Sequence, residues 1–128
     1  MKRILLADDE ESILLAYKKL LEDCDVQVEA VDCAQTAQTL LDQNNFDAFI
    51  VDLRLVGSAQ GMDGLMLVDY ARRKNPSCFI VIITAYFDKE IEYKAYDSGA
   101  DLLLEKPVSP TQLKELFRSK NIYSKTRL

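Results

Sequence analysis

The chain has 128 residues, enough for one ordinary domain with its own core, and a formal net charge of −5 at pH 7. This acidic balance argues against direct nucleic-acid binding by the domain, because contact with a phosphate backbone needs a basic face. The chain contains no histidine, which excludes His-based triads, His–zinc sites and a phosphohistidine within these residues.

No apolar run approaches the roughly 20 residues that a membrane helix needs. The first apolar run, residues 4–7, stops at Asp8 and is too short for the core of a signal peptide. The sequence therefore predicts a cytoplasmic protein without membrane contact.

Short apolar runs alternate along the chain with segments of helical spacing. Strands are predicted at residues 4–7, 26–31, 47–51, 79–83 and 102–104. Helices are predicted at 11–23, 34–44, 63–74 and 89–98, and a last helix begins at Ser109-Pro110 with Gln112 completing a capping box. Gly99 marks the end of the fourth helix. We place the domain at residues 1–119 and a C-terminal tail, or the start of a linker, at 120–128.

Five strands that are each followed by a helix predict an α/β fold. Continuous apolar strands indicate a parallel sheet covered by helices on both faces. Because five strands are too few for an eight-stranded barrel, a doubly wound open sheet is the remaining solution. The ligand site of such a sheet lies at the carboxyl ends of its strands.

Polar side chains stand at these strand ends. Asp8 and Asp9 follow the first strand, Asp52 ends the third, Thr84 follows the fourth and Lys106 follows the fifth. Three carboxylates at one edge repel each other and need a cation, and their oxygens suit Mg²⁺. One carboxylate could then attack phosphorus to form an aspartyl phosphate, with the ammonium and the hydroxyl bound to the phosphoryl oxygens.

The same stretches resemble the receiver domain of two-component response regulators, over about residues 2–119. The matching motifs are Leu6-Ala7-Asp8-Asp9, Val51-Asp52-Leu53, Ile83-Thr84-Ala85, Gly99-Ala100-Asp101 and Glu105-Lys106-Pro107. The resemblance implies a flavodoxin-like (βα)5 sheet in the strand order 2-1-3-4-5, with phosphorylation of one aspartate as the signal.

The resemblance also implies a role for each matched residue. Asp52 is the phosphoacceptor, Thr84 and Lys106 bind the phosphoryl oxygens, and the Lys106–Pro107 peptide is cis. The ligands of Mg²⁺ are Asp8, Asp9, Asp52 and the backbone carbonyl of Arg54. The phosphodonor is a histidine kinase or a histidine phosphotransfer protein. Output runs through a downstream protein partner or through a domain outside this chain, and dimerisation through the last two helices stays open.

The chain departs from the family at the position three residues before Lys106, where an aromatic side chain is usual and Leu103 stands here. The aromatic rearrangement that normally follows phosphorylation cannot occur at a leucine, so signal transmission could be weak or different. The alternative is that Leu103 packs as an ordinary core residue.

A second departure lies in the loop after Asp52, where Val56 replaces the usual proline and residues 57–60 push Met62-Asp63-Gly64 further along. This insertion is either a partner contact or a tolerated surface loop. Arg54 and Tyr86 stand two residues beyond Asp52 and Thr84, where side chains border the path of the attacking water in this family. Both are bulky, which predicts slow self-dephosphorylation.

Three other readings remain at this point. A degenerate receiver would act as a phosphorylation-independent binding module. A haloacid dehalogenase-like phosphotransferase would need a second aspartate where Arg54 stands, and arginine cannot donate a proton at neutral pH. A flavodoxin-type redox protein would need a phosphate-binding loop where the acidic run from Asp8 to Glu11 would repel phosphate. The expected protein is therefore not an enzyme beyond its own phosphorylation and slow dephosphorylation.

Overall fold

The computed structural model describes residues 1–54 and 64–123. Within these ranges strands and helices alternate, and each predicted element appears with ends that differ by at most two residues. The strands are β1 Lys2–Ala7, β2 Val26–Val31, β3 Ala48–Asp52, β4 Phe79–Thr84 and β5 Leu102–Glu105. The helices are α1 Glu11–Leu21, α2 Ala34–Gln43, α3 Gly64–Lys74, α4 Lys89–Asp97 and α5 Pro110–Ser119.

The strands form one sheet in the order β2-β1-β3-β4-β5, and each adjacent pair is parallel. The predicted doubly wound, flavodoxin-like topology is therefore confirmed. Successive side chains on a strand point to opposite faces, so Leu5 and Phe49 pack with α2, α3 and α4, whereas Ile4 and Ile50 pack with α1 and α5. All five residues of β3 are buried, which places its last residue deep at the carboxyl edge of the sheet.

The helix ends follow the local sequence signals. The Ser109 hydroxyl accepts a hydrogen bond from Gln112 N at 3.0 Å, and Pro110 is the first residue of α5, as predicted. Gly99 follows α4 with φ of +115°, a conformation that a side chain would strain. No helix in the described ranges has the length and apolar character that crossing a membrane requires.

Leu103 is buried on the face of the sheet that packs against α4. Its backbone N–H donates to the Tyr96 hydroxyl of α4 at 3.2 Å. Lys106 N donates to the Thr84 carbonyl of β4 at 2.7 Å, and N–H directions alternate along a strand, so the Leu103 N–H points away from β4. Tyr96 thus covers a backbone donor on the free edge of β5.

The packed part of the domain extends beyond α5. Ile122 and Tyr123 are buried in the core between the sheet, α1 and α5, and the Tyr123 hydroxyl donates to the Leu21 carbonyl. Their burial was not evident in a stretch with no apolar period, and it differs from the expectation of a tail from residue 120. The loop insertion at 57–60, Val56, Met62, Asp63 and the tail from 124 lie outside the described residues.

Candidate functional site

Three polar side chains are buried where the strands end at one edge of the sheet. Asp8 follows β1, Asp52 ends β3 and Thr84 ends β4, with exposed fractions of 0%, 3% and 1%. Burying a charged group is costly unless it is paired, so two aspartates at this depth need compensation. The predicted convergence of these residues is confirmed by their positions.

Lys106 supplies the compensating charge. Its Nζ lies 3.1 Å from Asp52 Oδ2, 3.3 Å from Asp8 Oδ2 and 3.3 Å from Glu10 Oε1. Burial lowers the pKa of Lys106, but the hydrogen bond to Asp52 and the charges of Asp52 and Asp8 outweigh this effect and hold its pKa above the ordinary value. The side chain is therefore a fixed cation at the mouth of the carboxylate pair.

Asp8 is a carboxyl group whose ionised form is disfavoured by burial in the folded protein. Burial raises the pKa of Asp8 most, the backbone N–H of Glu10 opposes this by donating to Asp8 Oδ1 at 2.9 Å, and the charge of Asp52 raises it further. Lys106 compensates only in part, so the net pKa of Asp8 is above its ordinary value. A further cation beside Asp8 would favour the ionised form.

The donor set at this edge fits a hard divalent cation. Asp8, Glu10 and Asp52 each offer one oxygen, and these oxygens lie within 4.8 Å of one another. Mg²⁺ prefers carboxylate and water oxygens, which such a set supplies. Asp9, in contrast, is exposed and lines the adjoining cavity of about 560 Å³ together with Arg54. The metal-ligand roles predicted for Asp9 and for the Arg54 carbonyl stay predictions.

Glu10 is the site residue that sequence reasoning missed. It stands at the start of α1, where its side chain makes no capping bond and reaches Lys106 instead. The only signal in the sequence is its place as third acid in the run from Asp8 to Glu11. Which acid of that run turns toward the lysine depends on the geometry of the turn, and no spacing rule gives it.

The Thr84 hydroxyl is engaged with the loop that follows β4. It donates to the Tyr86 carbonyl at 2.9 Å and accepts from Tyr86 N at 3.1 Å. Contact of Thr84 with a phosphoryl group would therefore require it to leave Tyr86. Tyr86 is 64% exposed. Arg54 is exposed at the rim of the cavity, and its backbone N–H donates to Asp52 Oδ1 at 3.0 Å.

The start of α3 lies directly against the backbone of Asp52. A Cβ atom on Gly64 would lie 2.7 Å from the Leu53 carbonyl oxygen and 3.0 Å from the Asp52 carbonyl oxygen. Only glycine allows this approach, so Gly64 helps to fix the strand end that carries Asp52. On the other side of the site, the Lys106–Pro107 peptide is cis, as predicted.

Comparison with known proteins decides the family. The model of the response regulator receiver domain matches residues 4–118. The chain belongs to the response regulator receiver domain family. This receiver domain is 39% identical over 112 residues to the alginate biosynthesis transcriptional regulatory protein AlgB of Pseudomonas putida, covering 88% of this chain and 24% of that protein. It is 30% identical over 115 residues to the response regulator protein PilR of Pseudomonas aeruginosa, covering 90% and 25%.

Solved structures agree with the fold. A CheY-like response regulator receiver domain protein of Methanospirillum hungatei JF-1 superposes with a TM-score of 0.85 at 29% identity, covering 94% of this chain and 93% of that one. The receiver domain spans about a quarter of the length of the curated relatives AlgB and PilR. These findings support a receiver and do not favour the dehalogenase-like or flavodoxin-type readings.

Proposed function

We propose that this receiver domain accepts a phosphoryl group on Asp52 in a Mg²⁺-dependent reaction and thereby changes its surface for a downstream partner. The observation that carries the proposal is the 3.1 Å contact of Lys106 Nζ with Asp52 Oδ2, at the base of a cavity open to solvent. A buried carboxylate beside a fixed ammonium supports nucleophilic attack on phosphorus followed by charge stabilisation of the product.

In the proposed transfer, Asp52, Lys106 and Thr84 each act on the phosphoryl group. An Asp52 carboxylate oxygen forms a bond to phosphorus while the bond from phosphorus to the donor's imidazole nitrogen breaks, and the leaving imidazole takes up a proton. Lys106 donates to the transferred oxygens, and Thr84 adds its hydroxyl after releasing Tyr86. Mg²⁺, held by Asp8, Asp9, Asp52 and the Arg54 carbonyl, would supply positive charge against the repulsion between phosphoryl group and carboxylates.

The donor residue lies outside these 128 residues, which contain no histidine. A phosphohistidine of a histidine kinase or a histidine phosphotransfer protein fits the proposal. Output would run through a separate protein or a further domain, because a formal net charge of −5 does not favour contact with a nucleic-acid backbone. We place this reaction in the cytoplasm and propose no catalysis beyond self-phosphorylation and slow dephosphorylation.

The direct test is incubation with Mg²⁺ and acetyl phosphate, followed by intact-protein mass spectrometry. The wild type is expected to gain the mass of one phosphoryl group, and Asp52→Asn is expected not to. Asp69→Asn is the matched control, since Asp69 pairs with Arg73 on the surface of α3. Gain of phosphate by Asp52→Asn at the wild-type rate would remove the proposed acceptor.

The lifetime of the aspartyl phosphate gives a further prediction. Arg54 and Tyr86 stand beside the acceptor and the threonine, and we expect their bulk to impede the attacking water. Loss of phosphate after removal of the donor should take minutes rather than seconds, and Arg54→Ala with Tyr86→Ala should shorten this time. A lifetime of seconds in the wild type contradicts the prediction.

A constitutive binding module is the second candidate, favoured only by the aliphatic Leu103 at the usual aromatic position. Saturation with beryllofluoride distinguishes the two, since the mimic should change partner capture or oligomeric state if the switch works. Identical behaviour with and without the mimic, in a protein that does gain phosphate, would favour the module.

A further inference from the structure

Tyr17 of α1 carries a polar group into an otherwise apolar layer. Its side chain is 6% exposed and belongs to the core that packs between the sheet, α1 and α5. The hydroxyl donates to the backbone carbonyl of Val108, a residue that is itself buried. A buried hydroxyl and a buried carbonyl each need a partner, so this single bond satisfies both groups at once.

The Tyr17 bond reaches the short segment that carries the site lysine. Val108 stands two residues after Lys106, between β5 and α5. At the other end of this segment, Lys106 N donates to the Thr84 carbonyl at 2.7 Å. The segment is therefore hydrogen-bonded to β4 at Lys106 and to α1 at Val108. These two bonds restrict the position of the Lys106 backbone, from which the side chain extends to Asp52.

The electrostatic surroundings also connect Tyr17 to the site. Burial is the main cause that raises the pKa of Tyr17, while the charge of Lys106 lowers it and the charges of Asp8 and Glu10 raise it. The phenol therefore stays protonated as a hydrogen-bond donor at neutral pH. Among the described hydrogen bonds Tyr17 makes none with the carboxylates, and its hydroxyl contacts the segment at Val108.

We propose that Tyr17 is a positioning residue for Lys106: its bond to the Val108 carbonyl fixes the segment from which the ammonium reaches Asp52. This inference rests on the proposed function of Lys106 as the group that binds the transferred oxygens. Transfer of a phosphoryl group depends on placement, and a shift of about 1 Å in a reacting group can cost up to roughly a hundredfold in rate.

The variant Tyr17→Phe removes the hydroxyl and keeps the ring in the core. Its maximal rate of phosphorylation by acetyl phosphate with saturating Mg²⁺ is expected to fall about tenfold. The donor concentration at half-maximal rate should change much less, because an interaction made mainly in the transition state affects the maximal rate. Tyr17→Met, which also lacks the hydroxyl but has a flexible side chain, serves as the second variant if the phenylalanine variant folds poorly.

Tyr123→Phe is the matched control. Tyr123 is also buried, and its hydroxyl likewise donates to a backbone carbonyl, that of Leu21, the last residue of α1. Both variants should lose thermal stability by a similar amount, but Tyr123→Phe should keep the wild-type phosphorylation rate. A purely structural role for Tyr17 would make the two variants equal in rate.

A readout that needs no phosphorylation separates this inference from the proposed function. In Mg²⁺-free protein, the NMR signals of the Lys106 ε-methylene group should shift in Tyr17→Phe and stay in place in Tyr123→Phe. If the wild type gains no phosphate, the proposed function fails while the NMR comparison still judges the positioning. Unmoved Lys106 signals, or a wild-type phosphorylation rate in Tyr17→Phe, would overturn the inference.

Discussion

At the scale of single residues, the site places the ammonium group of Lys106 among three carboxylates. Lys106 contacts Asp8, Glu10 and Asp52 at once, so one positive charge is shared among three acids. Since buried charges are costly even when paired, the buried carboxylates are expected to lower the stability of the fold at the site where phosphoryl transfer is proposed. Stability and function are therefore expected to oppose each other at Asp8.

Asp8→Asn tests this opposition. Because folding raises the pKa of Asp8 above its ordinary 3.8, the folded state holds the Asp8 proton more tightly than the unfolded chain. The contribution of Asp8 to stability is then greatest below pH 3.8 and falls as the pH rises through the raised pKa. At pH 7 without Mg²⁺, the Tm of Asp8→Asn should exceed that of the wild type.

Magnesium should reverse the order for Asp8→Asn, since the ion stabilises the wild type by binding its folded state and the variant offers one carboxylate fewer. Thermal unfolding with and without Mg²⁺ measures both effects, with Asp69→Asn as the surface control. A lower Tm of Asp8→Asn in Mg²⁺-free buffer would show that Lys106 compensates Asp8 fully.

The acids next to Asp8 give a second prediction. We expect Asp9→Asn to weaken Mg²⁺ binding by about tenfold or more, equivalent to about 1.4 kcal/mol, and Glu10→Gln to weaken it by less. Glu10→Gln is the comparison variant, because Glu10 is a neighbouring exposed acid that pairs with Lys106 and whose oxygen also lies in the donor set with Asp8 and Asp52. Isothermal titration calorimetry with Mg²⁺ measures the affinity of both variants. A larger loss of affinity in Glu10→Gln than in Asp9→Asn would make Glu10 the ligand instead of Asp9.

The residue types at the strand ends were predictable because a parallel sheet brings its carboxyl ends together. Asp8, Asp52, Thr84 and Lys106 lie at that edge as expected. The contact of Glu10 with Lys106 and the bond of Thr84 to Tyr86 were not, since each depends on the conformation of a turn that residue spacing does not determine. Sequence patterns report which groups are present, and the turn geometry decides which of them meet.

At the scale of elements, the close contact between α3 and the end of β3 helps to fix the position of Asp52. Gly64→Ala would place a Cβ atom 2.7 Å from the Leu53 carbonyl oxygen, so strand and helix must separate. We expect a loss of about 1–3 kcal/mol in the free energy of unfolding and a slower phosphorylation of Asp52. Chemical denaturation and the acetyl phosphate assay measure the two effects.

Arg73→Ala is the control for Gly64→Ala, because Arg73 lies on the exposed side of the same helix and pairs with Asp69. Its change in stability should stay within about 0.5 kcal/mol. Wild-type stability of Gly64→Ala would mean that α3 can move away from Asp52 without cost.

The elements themselves were predictable because their signals are local. Apolar runs gave the strands, and the Ser109-Pro110 start and the Gly99 stop gave helix ends. The bond from Leu103 N to the Tyr96 hydroxyl was not predictable, because it joins a helix and a strand whose relative placement arises only in the folded sheet.

At the scale of the whole molecule, the segment after α5 belongs to the core. A chain that ends at residue 119 lacks Ile122 and Tyr123, which are 5% and 3% exposed. We expect such a chain to lose about 3 kcal/mol or more of folding free energy relative to one that ends at 123 and keeps both side chains. Urea denaturation of the two chains tests this, and equal midpoints would show that the two residues contribute nothing to the core.

The domain boundary was harder to predict than the fold. Isolated apolar residues such as Ile122 and Tyr123 carry no helical or strand period, so a pattern-based reading assigns them to a tail. They are buried because the chain turns back after α5 onto the core layer that contains Leu21 and Phe117. Ile122 N donates to the Phe117 carbonyl at 3.0 Å, and the Tyr123 hydroxyl donates to the Leu21 carbonyl.

The hydroxyl of Tyr96 has a consequence for the behaviour of the protein in a crowded solution. β5 is an outer strand of the sheet, and an outer strand with free N–H groups invites another chain to add a strand beside it. The bond from Leu103 N to the Tyr96 hydroxyl satisfies one of these N–H groups within the domain. At Leu103 this edge of the sheet is therefore less open to backbone pairing with another chain than an uncovered outer strand would be.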